Sequence, residues 1–255
     1  MELQADDDVF YGVKSISLCG MPHSIKFVKQ IVVRAMKPQS VVCQHKNRIL
    51  YKEGLELSSC NKENFYTEKF LRSDKIIHMR VYNEKLYVHH YSTPHTLSMY
   101  DMNGRLINTW AHNDTNGAMT AYGCKMSFLG DQIATANISR CCITLYKLNG
   151  EVIRHVPCYI ITKKSRITLC HGNDDSVIIA DDKRSKVSKL NLRTEKIEWE
   201  SSEVDKPRCV TRYREDLVLV ANSKSVSALD LQTGNFTVYF QMSSLYSYLE
   251  VHVFY

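Results

Sequence analysis

The sequence has no long apolar run. Its best runs, such as Leu217 to Ala221, are strand-sized, far short of the roughly 18 to 20 residues a membrane-spanning helix needs. It has no helical spacing of apolar positions over any window of about eleven residues, and no glycine-rich phosphate loop. These absences exclude a TIM barrel and a dinucleotide-binding doubly wound sheet. No C-x-x-C pair is present, which removes the usual ligand spacing of structural zinc. No G-x-S-x-G is present either, so the nucleophile elbow of serine hydrolases is missing. The opening residues, MELQADDDVFYG, lack a basic start, an apolar core and a cleavage site, so a secretory signal is not expected.

What is there is ordinary globular material. Of 255 residues, 44% are hydrophobic and 24% charged, which excludes wholesale disorder. Lys plus Arg outnumber Asp plus Glu by 33 to 27, a net +6. Such a surplus allows an acidic partner without demanding one. The nine cysteines are odd in number and irregular in spacing, as in a reduced intracellular chain. The expected compartment is the cytoplasm, with the nucleus as the alternative. Three N-x-[ST] triplets, at Asn113, Asn137 and Asn235, then read as chance matches.

A repeat runs through the chain. Four segments share one grammar, starting at Asn83, Leu129, Asn173 and Arg214. Each has a polar turn, a short β-favouring strand, a polar loop and a second strand ending in Tyr-Asp, Tyr-Lys, Leu-Asn or Leu-Asp. A tight turn and a last strand follow. The tight turns are Asn103-Gly104, Asn149-Gly150, Arg193-Thr194-Glu195 and Thr233-Gly234. Asn-Gly between apolar runs is a strong hairpin signal. These turns step from 104 to 150, 194 and 234, a period of 40 to 46 residues. That is the length of a four-stranded propeller blade. A further strand precedes each segment: Ile76 to Val81, Cys124 to Phe128, Ile167 to His171 and Cys209 to Tyr213. An earlier, worn unit spans Gln39 to Leu71, with strands at Ser40–Cys43, Arg48–Lys52, Leu55–Cys60 and Asn64–Phe70.

The fold expected is therefore all-β. It is a single propeller domain over 1–255 with six four-stranded blades, the last shared between N- and C-terminal strands. Blades fall at about 39–74, 75–119, 120–165, 166–207 and 208–241, and a closing blade combines 11–34 with 243–255. Within 11–34 the strands read as Val13–Leu18 and Ile25–Arg34. A shared blade leaves no exposed edge. An incomplete ring, or a piece of a longer repeat protein, is the rival reading.

The segments YVHHYSTPHTLSMYDMNGRLINTW and IATANISRCCITLYKLNGEVIRHV resemble blades of NHL-type propellers, as found in tripartite-motif NHL proteins. The resemblance covers roughly 39–241. It departs from the family where Tyr91-Ser-Thr-Pro-His95 and Asn137-Ile-Ser-Arg140 replace an Asp-x-x-Asn-Arg-like loop. WD40 propellers, whose regular Gly and Trp-Asp signatures are missing, are the second resemblance. The NHL resemblance implies a docking platform that binds protein or RNA on one face. No RING or B-box pattern is present, so it implies no ligase activity.

Propeller topology sorts the loops onto two faces. One face collects the loops between blades and between second and third strands. Its basic residues are Arg140, Lys163, Lys164, Arg166, Lys183, Arg184, Lys186, Lys206, Arg208 and Lys224, against Asp181, Asp182 and Asp205. The opposite face carries Glu84, Asp131, Glu151, Asp174, Asp175, Glu195, Glu215 and Asp216, with Lys85, Arg193 and Arg214. A basic face suits an acidic peptide or phosphates, and Tyr91 and His95 offer planar groups for stacking bases. The expected function is non-catalytic docking of a protein segment first and RNA second. No membrane and no cofactor is involved, and the chain acts as a monomer or as part of a longer protein.

A propeller enzyme of the metal-dependent lactonase type is the alternative. Asn137, Asn222 and Asp181 occupy matching places in three blades, where oxygens converging on a channel would hold a hard cation. The competing reading is that they cap strand ends and bond loop backbone. His89 and His90 are adjacent on a strand and point apart, so no metal is expected there. Tyr87, Tyr100 and Tyr146 read as packing groups with a polar tip.

Overall fold

The structure is a computed structural model that describes residues 12–17, 26–32, 42–53, 56–61, 63, 66–72, 76–90, 95–112, 126–173, 175–222 and 224–241. β1 (Gly12–Ser17) and β2 (Lys26–Val32) form an antiparallel pair. Five four-stranded antiparallel sheets follow. Blade 1 is β3 (Val42–His45), β4 (Arg48–Glu53), β5 (Glu56–Asn61) and β6 (Thr67–Arg72). Blade 2 is β7 (Ile76–Tyr82), β8 (Lys85–His90), β9 (His95–Asp101) and β10 (Leu106–His112). Blade 3 is β11 (Met126–Leu129), β12 (Gln132–Asn137), β13 (Cys142–Lys147) and β14 (Val152–Pro157). Blade 4 is β15 (Ile167–His171), β16 (Ser176–Asp181), β17 (Lys186–Asn191) and β18 (Lys196–Ser201). Blade 5 is β19 (Cys209–Arg212), β20 (Leu217–Ala221), β21 (Ser225–Asp230) and β22 (Phe236–Gln241).

Each blade is a meander in sequence order, and the first strands β3, β7, β11, β15 and β19 are successive neighbours. This is an all-β propeller. The expectation of six blades is corrected to five four-stranded blades among the described residues. Of the expected shared closing blade, the two N-terminal strands β1 and β2 pair with each other, Gly12 facing Val32. Residues 243–255, the other half of that expected blade, lie outside the described residues.

Strand alternation builds the core between blades. On β16, Val177 and Ile179 join Ala134, Ile143 and Leu145 of blade 3, whereas Ile178 joins Val210, Val218 and Val220 of blade 5. Successive side chains point to opposite faces of a strand, so one buried strand feeds two cores. Tyr87 and Tyr146 are fully buried between blades 2 and 3, and Tyr87 meets Phe128 edge-on at 4.9 Å. Burial raises the Tyr87 pKa above its usual value.

In blades 2, 4 and 5 the third-to-fourth strand turn is capped by the residue ending the third strand. Asp101 accepts the N–H groups of Asn103 and Arg105, Asn191 those of Arg193 and Thr194, and Asp230 those of Gln232 and Thr233. Such side chains stand in for a backbone turn. The backbone and side-chain hydrogen bonds from Thr233 hold the Asp230 carboxyl below its usual pKa. Each turn also meets the outer strand of the preceding blade. The Trp110 ring of β10 lies on Gly150, and the Trp199 ring of β18 lies on Gly234, where an added Cβ would come within 2.9 Å of the indole. Both glycines have positive φ, +92° and +75°.

Candidate functional site

Antiparallel meanders put the second-to-third loops and the inter-blade connections at one end of the blades, here the upper face. The ten expected basic residues all belong to loops or strand ends of that face in blades 3 to 5. Their surroundings divide them. Arg140 donates from Nη1 to Nε2 of His155 at 3.3 Å. Arg166 pairs with Asp182 at 3.5 Å. Arg184 donates to the Ile160 carbonyl at 2.9 Å and lies 3.7 Å from Glu200, which Lys186 also meets. Arg208 is half-buried, and its backbone N–H bonds Ala221. By contrast, Lys163, Lys164, Lys183, Lys206 and Lys224 are exposed and form no ion pair among the described residues.

The backbone beneath four of these lysines is pinned. Asp181 accepts the N–H of Lys183 at 2.9 Å, Asn222 that of Lys224 at 2.7 Å, Ser185 that of Lys206 at 3.1 Å and Thr162 that of Lys164 at 3.4 Å. Asn137 serves the Arg140 loop in the same way, at 2.9 Å. The three matching residues Asn137, Asp181 and Asn222 are therefore buried loop caps, each turning an oxygen to its own loop. Among the described residues no group of three His, Cys, Asp or Glu side chains is arranged to hold a metal.

Tyr91 and the side chain of His95 lie outside the described residues. A different aromatic stands on this face: Tyr159, 78% exposed in the β14–β15 connection that also carries Lys163 and Lys164. It sits in a turn just after β14, between buried Cys158 and Ile160, and no strand alternation in the sequence marked it.

The lower face carries the first-to-second and third-to-fourth turns. Four of its acids are matched: Glu84 by Lys46 at 3.1 Å, Glu151 by Lys147 at 2.8 Å, Asp175 by Arg193 at 3.3 Å and Glu195 by Arg154 at 3.5 Å. A cavity of about 660 Å³ opens here over the β11–β12 turn, between blades 2 and 4. Arg80 and His171 line it, and Tyr82 and Phe128, stacked at 4.6 Å, line a wall. The His171 pKa is held down at about 4, by burial first and then by the charges of Arg212 and Arg80. No spacing rule pointed to this cluster, because its members come from three different blades.

Cys60, Cys141, Cys142, Cys158, Cys170 and Cys209 are thiols rather than disulfide halves. Burial pushes Cys158 up to about 11 and Cys170 up to about 12. Such thiols stay protonated and pack as small apolar groups. No described helix is long and apolar enough to cross a membrane.

No protein-family model and no curated protein matches the sequence. The fold has clear counterparts among solved structures. The WD40 β-propeller domain of Doa1 superposes with a TM-score of 0.62 at 12% identity, over 80% of this chain and 68% of that one. A chain of a mitotic checkpoint complex gives 0.57 at 12%, over 74% and 61%. The WD40 domain of Neurospora crassa Pan2 gives 0.56 at 12%, over 78% and 64%. This chain thus spans 61% to 68% of the length of these chains. The likeness is one of fold: the chain is a β-propeller repeat protein with WD40-type structural neighbours.

Proposed function

We propose that this chain is a non-catalytic propeller scaffold, one domain, that docks an acidic segment of a protein partner on the upper face of blades 3 to 5. The observation that carries this reading is the set of five exposed lysines that form no ion pair among the described residues, four of them on loops whose backbone is held by side-chain oxygens, two of these from the buried Asp181 and Asn222. Cations fixed on a rigid frame lose little freedom on binding, and a field of one sign raises encounter rates with an acidic partner. Tyr159 supplies an aromatic anchor beside Lys163 and Lys164, of the kind enriched at interface centres. The buried, protonated thiols support a reducing compartment, in line with the cytoplasmic reading. The strand and Gly-turn grammar supports kinship with NHL propellers.

The exposed Tyr159 also favours a second reading, single-stranded RNA, since bases stack on aromatics flanked by cations. One experiment tests both: fluorescence polarisation of a Glu-rich peptide and of an unstructured RNA, at about 50 and 200 mM salt. The comparison protein carries Lys163, Lys164, Lys183 and Lys206 changed to Glu. Arg184 and Lys186 are left intact because they serve Glu200 and the Ile160 carbonyl. Peptide binding that weakens with salt and drops at least about tenfold in the variant is expected. RNA binding alone would favour the second reading, and binding of neither ligand would end both.

A further inference from the structure

The lower cavity holds cationic charge that the carboxylates around it do not match. Arg80, half-buried on β7, makes no ion pair or hydrogen bond among the described residues. His171 ends β15 across the β11–β12 turn, and its Nδ1 is buried without a hydrogen-bond partner. Arg212 ends β19 beside them and donates to the carbonyl of Gly172, the residue after His171, and to that of Glu215 at 2.7 Å. The guanidinium of Arg212 is thus steadied by carbonyl oxygens next to the imidazole. Of the two carboxylates lining the cavity, Asp175 pairs with Arg193 at 3.3 Å, and Asp131 is exposed on the turn.

A buried imidazole nitrogen without a partner is an unsatisfied group, and such groups are rare unless something fills them. An unpaired guanidinium beside it offers the planar donor fork that recognises oxyanions. The stacked Tyr82–Phe128 pair gives the cavity an apolar wall, and charges interact more strongly beside apolar surface than in open water. A cavity of about 660 Å³ is within the usual range for small-ligand sites.

We propose that this cavity is an oxyanion site in which Arg80 and His171 hold a phosphate or carboxylate group, with Arg212 reinforcing the positive field. It lies on the face opposite the docking lysines and does not depend on them. Bound anion accepts from the Arg80 guanidinium and from His171 Nδ1–H. It also offsets the repulsion that both arginines exert on the imidazolium, so anion binding and proton uptake by His171 favour each other.

The test is NMR of the His171 ring in the full chain at about pH 6, titrated with inorganic phosphate or with acetate, chloride keeping the ionic strength constant. A saturable shift at His171 with a Kd on the order of 1 mM is expected for at least one anion. The His171 pKa then rises from about 4 towards its ordinary value. Saturation by phosphate alone assigns a phosphoryl ligand, and saturation by acetate as well assigns a carboxylate. Arg80→Gln weakens binding at least about tenfold, and Arg80→Lys, which keeps the charge, retains part of it. Amide signals of blades 1 and 5 that are unchanged in the anion-free variants verify their fold, while the His171 pKa itself rises in Arg80→Gln because one repelling charge is gone. No saturable shift with either anion, or one that Arg80→Gln leaves intact, overturns the proposal.

Discussion

At the junction of blades 4 and 5, Trp199 lies on Gly234 and donates from its indole N–H to the Leu231 carbonyl at 3.1 Å. At the junction of blades 3 and 4, Arg154 does the corresponding work, donating from Nη2 to the Leu192 carbonyl at 2.5 Å. The two are equivalent in register: Trp199 faces Lys189 and Arg154 faces Leu145, each the last pair before the same kind of bulge. Leu231 and Leu192 likewise each follow the capping residue of a turn, Asp230 and Asn191. The contrast lies in what the latch demands of the turn beneath it. A flat indole needs a turn residue without a side chain, so Gly234 stands there. A guanidinium makes no such demand, and the blade 4 turn carries Glu195 at φ +59°, 3.5 Å from Arg154. A turn's composition therefore answers to the outer strand of the previous blade as well as to its own geometry.

The indole latch should break most severely at its tightest point. Gly150→Ala places a Cβ against the Trp110 ring at a positive φ. Backbone strain and overpacking together predict a loss of about 3 kcal/mol, read as a lower urea midpoint. Removing the latch side chains separates the two junctions. Trp199→Ala loses half-buried aromatic surface and one hydrogen bond, about 2 kcal/mol. Arg154→Ala loses a partly exposed hydrogen bond and a screened ion pair, about 1 kcal/mol or less. Equal losses in paired denaturation curves would show that the two latches carry the same weight. The smallest effect sharpens the contrast from the turn side. Glu195→Gly relieves a left-handed residue at the expense of an exposed pair, and a gain of about 0.5 kcal/mol is expected. A clear loss there would mean that the Arg154–Glu195 pair holds the junction.

Much of the architecture was legible because it is written locally. Ile167–His171 is the inner strand of blade 4 as read from the sequence, and the Asn-Gly turns are the turns found. Blade 1 was read two residues early at Ser40–Cys43, whereas β3 is Val42–His45. Its hairpin turns on Lys46-Asn47, with Lys46 at φ +48°, and no Asn-Gly marks it. The sorting of basic loops onto one face was legible, because a meander alternates its ends without regard to side chains. Which cations remain available was not. Arg184 meets the Ile160 carbonyl and Lys186 meets Glu200, contacts between different loops and strands that no local pattern announces.

The sequence by itself determined the strands, their turns and their period, since these depend on alternation and turn chemistry within some forty residues of chain. Only the tertiary structure decided the blade number among the described residues, the matching of each outer strand to the next blade's turn, and the meeting of Arg80, His171 and Arg212. Those depend on which sheets become neighbours around an axis. That choice is made by the packing of apolar faces between blades, and the charges at the rims are carried along with it.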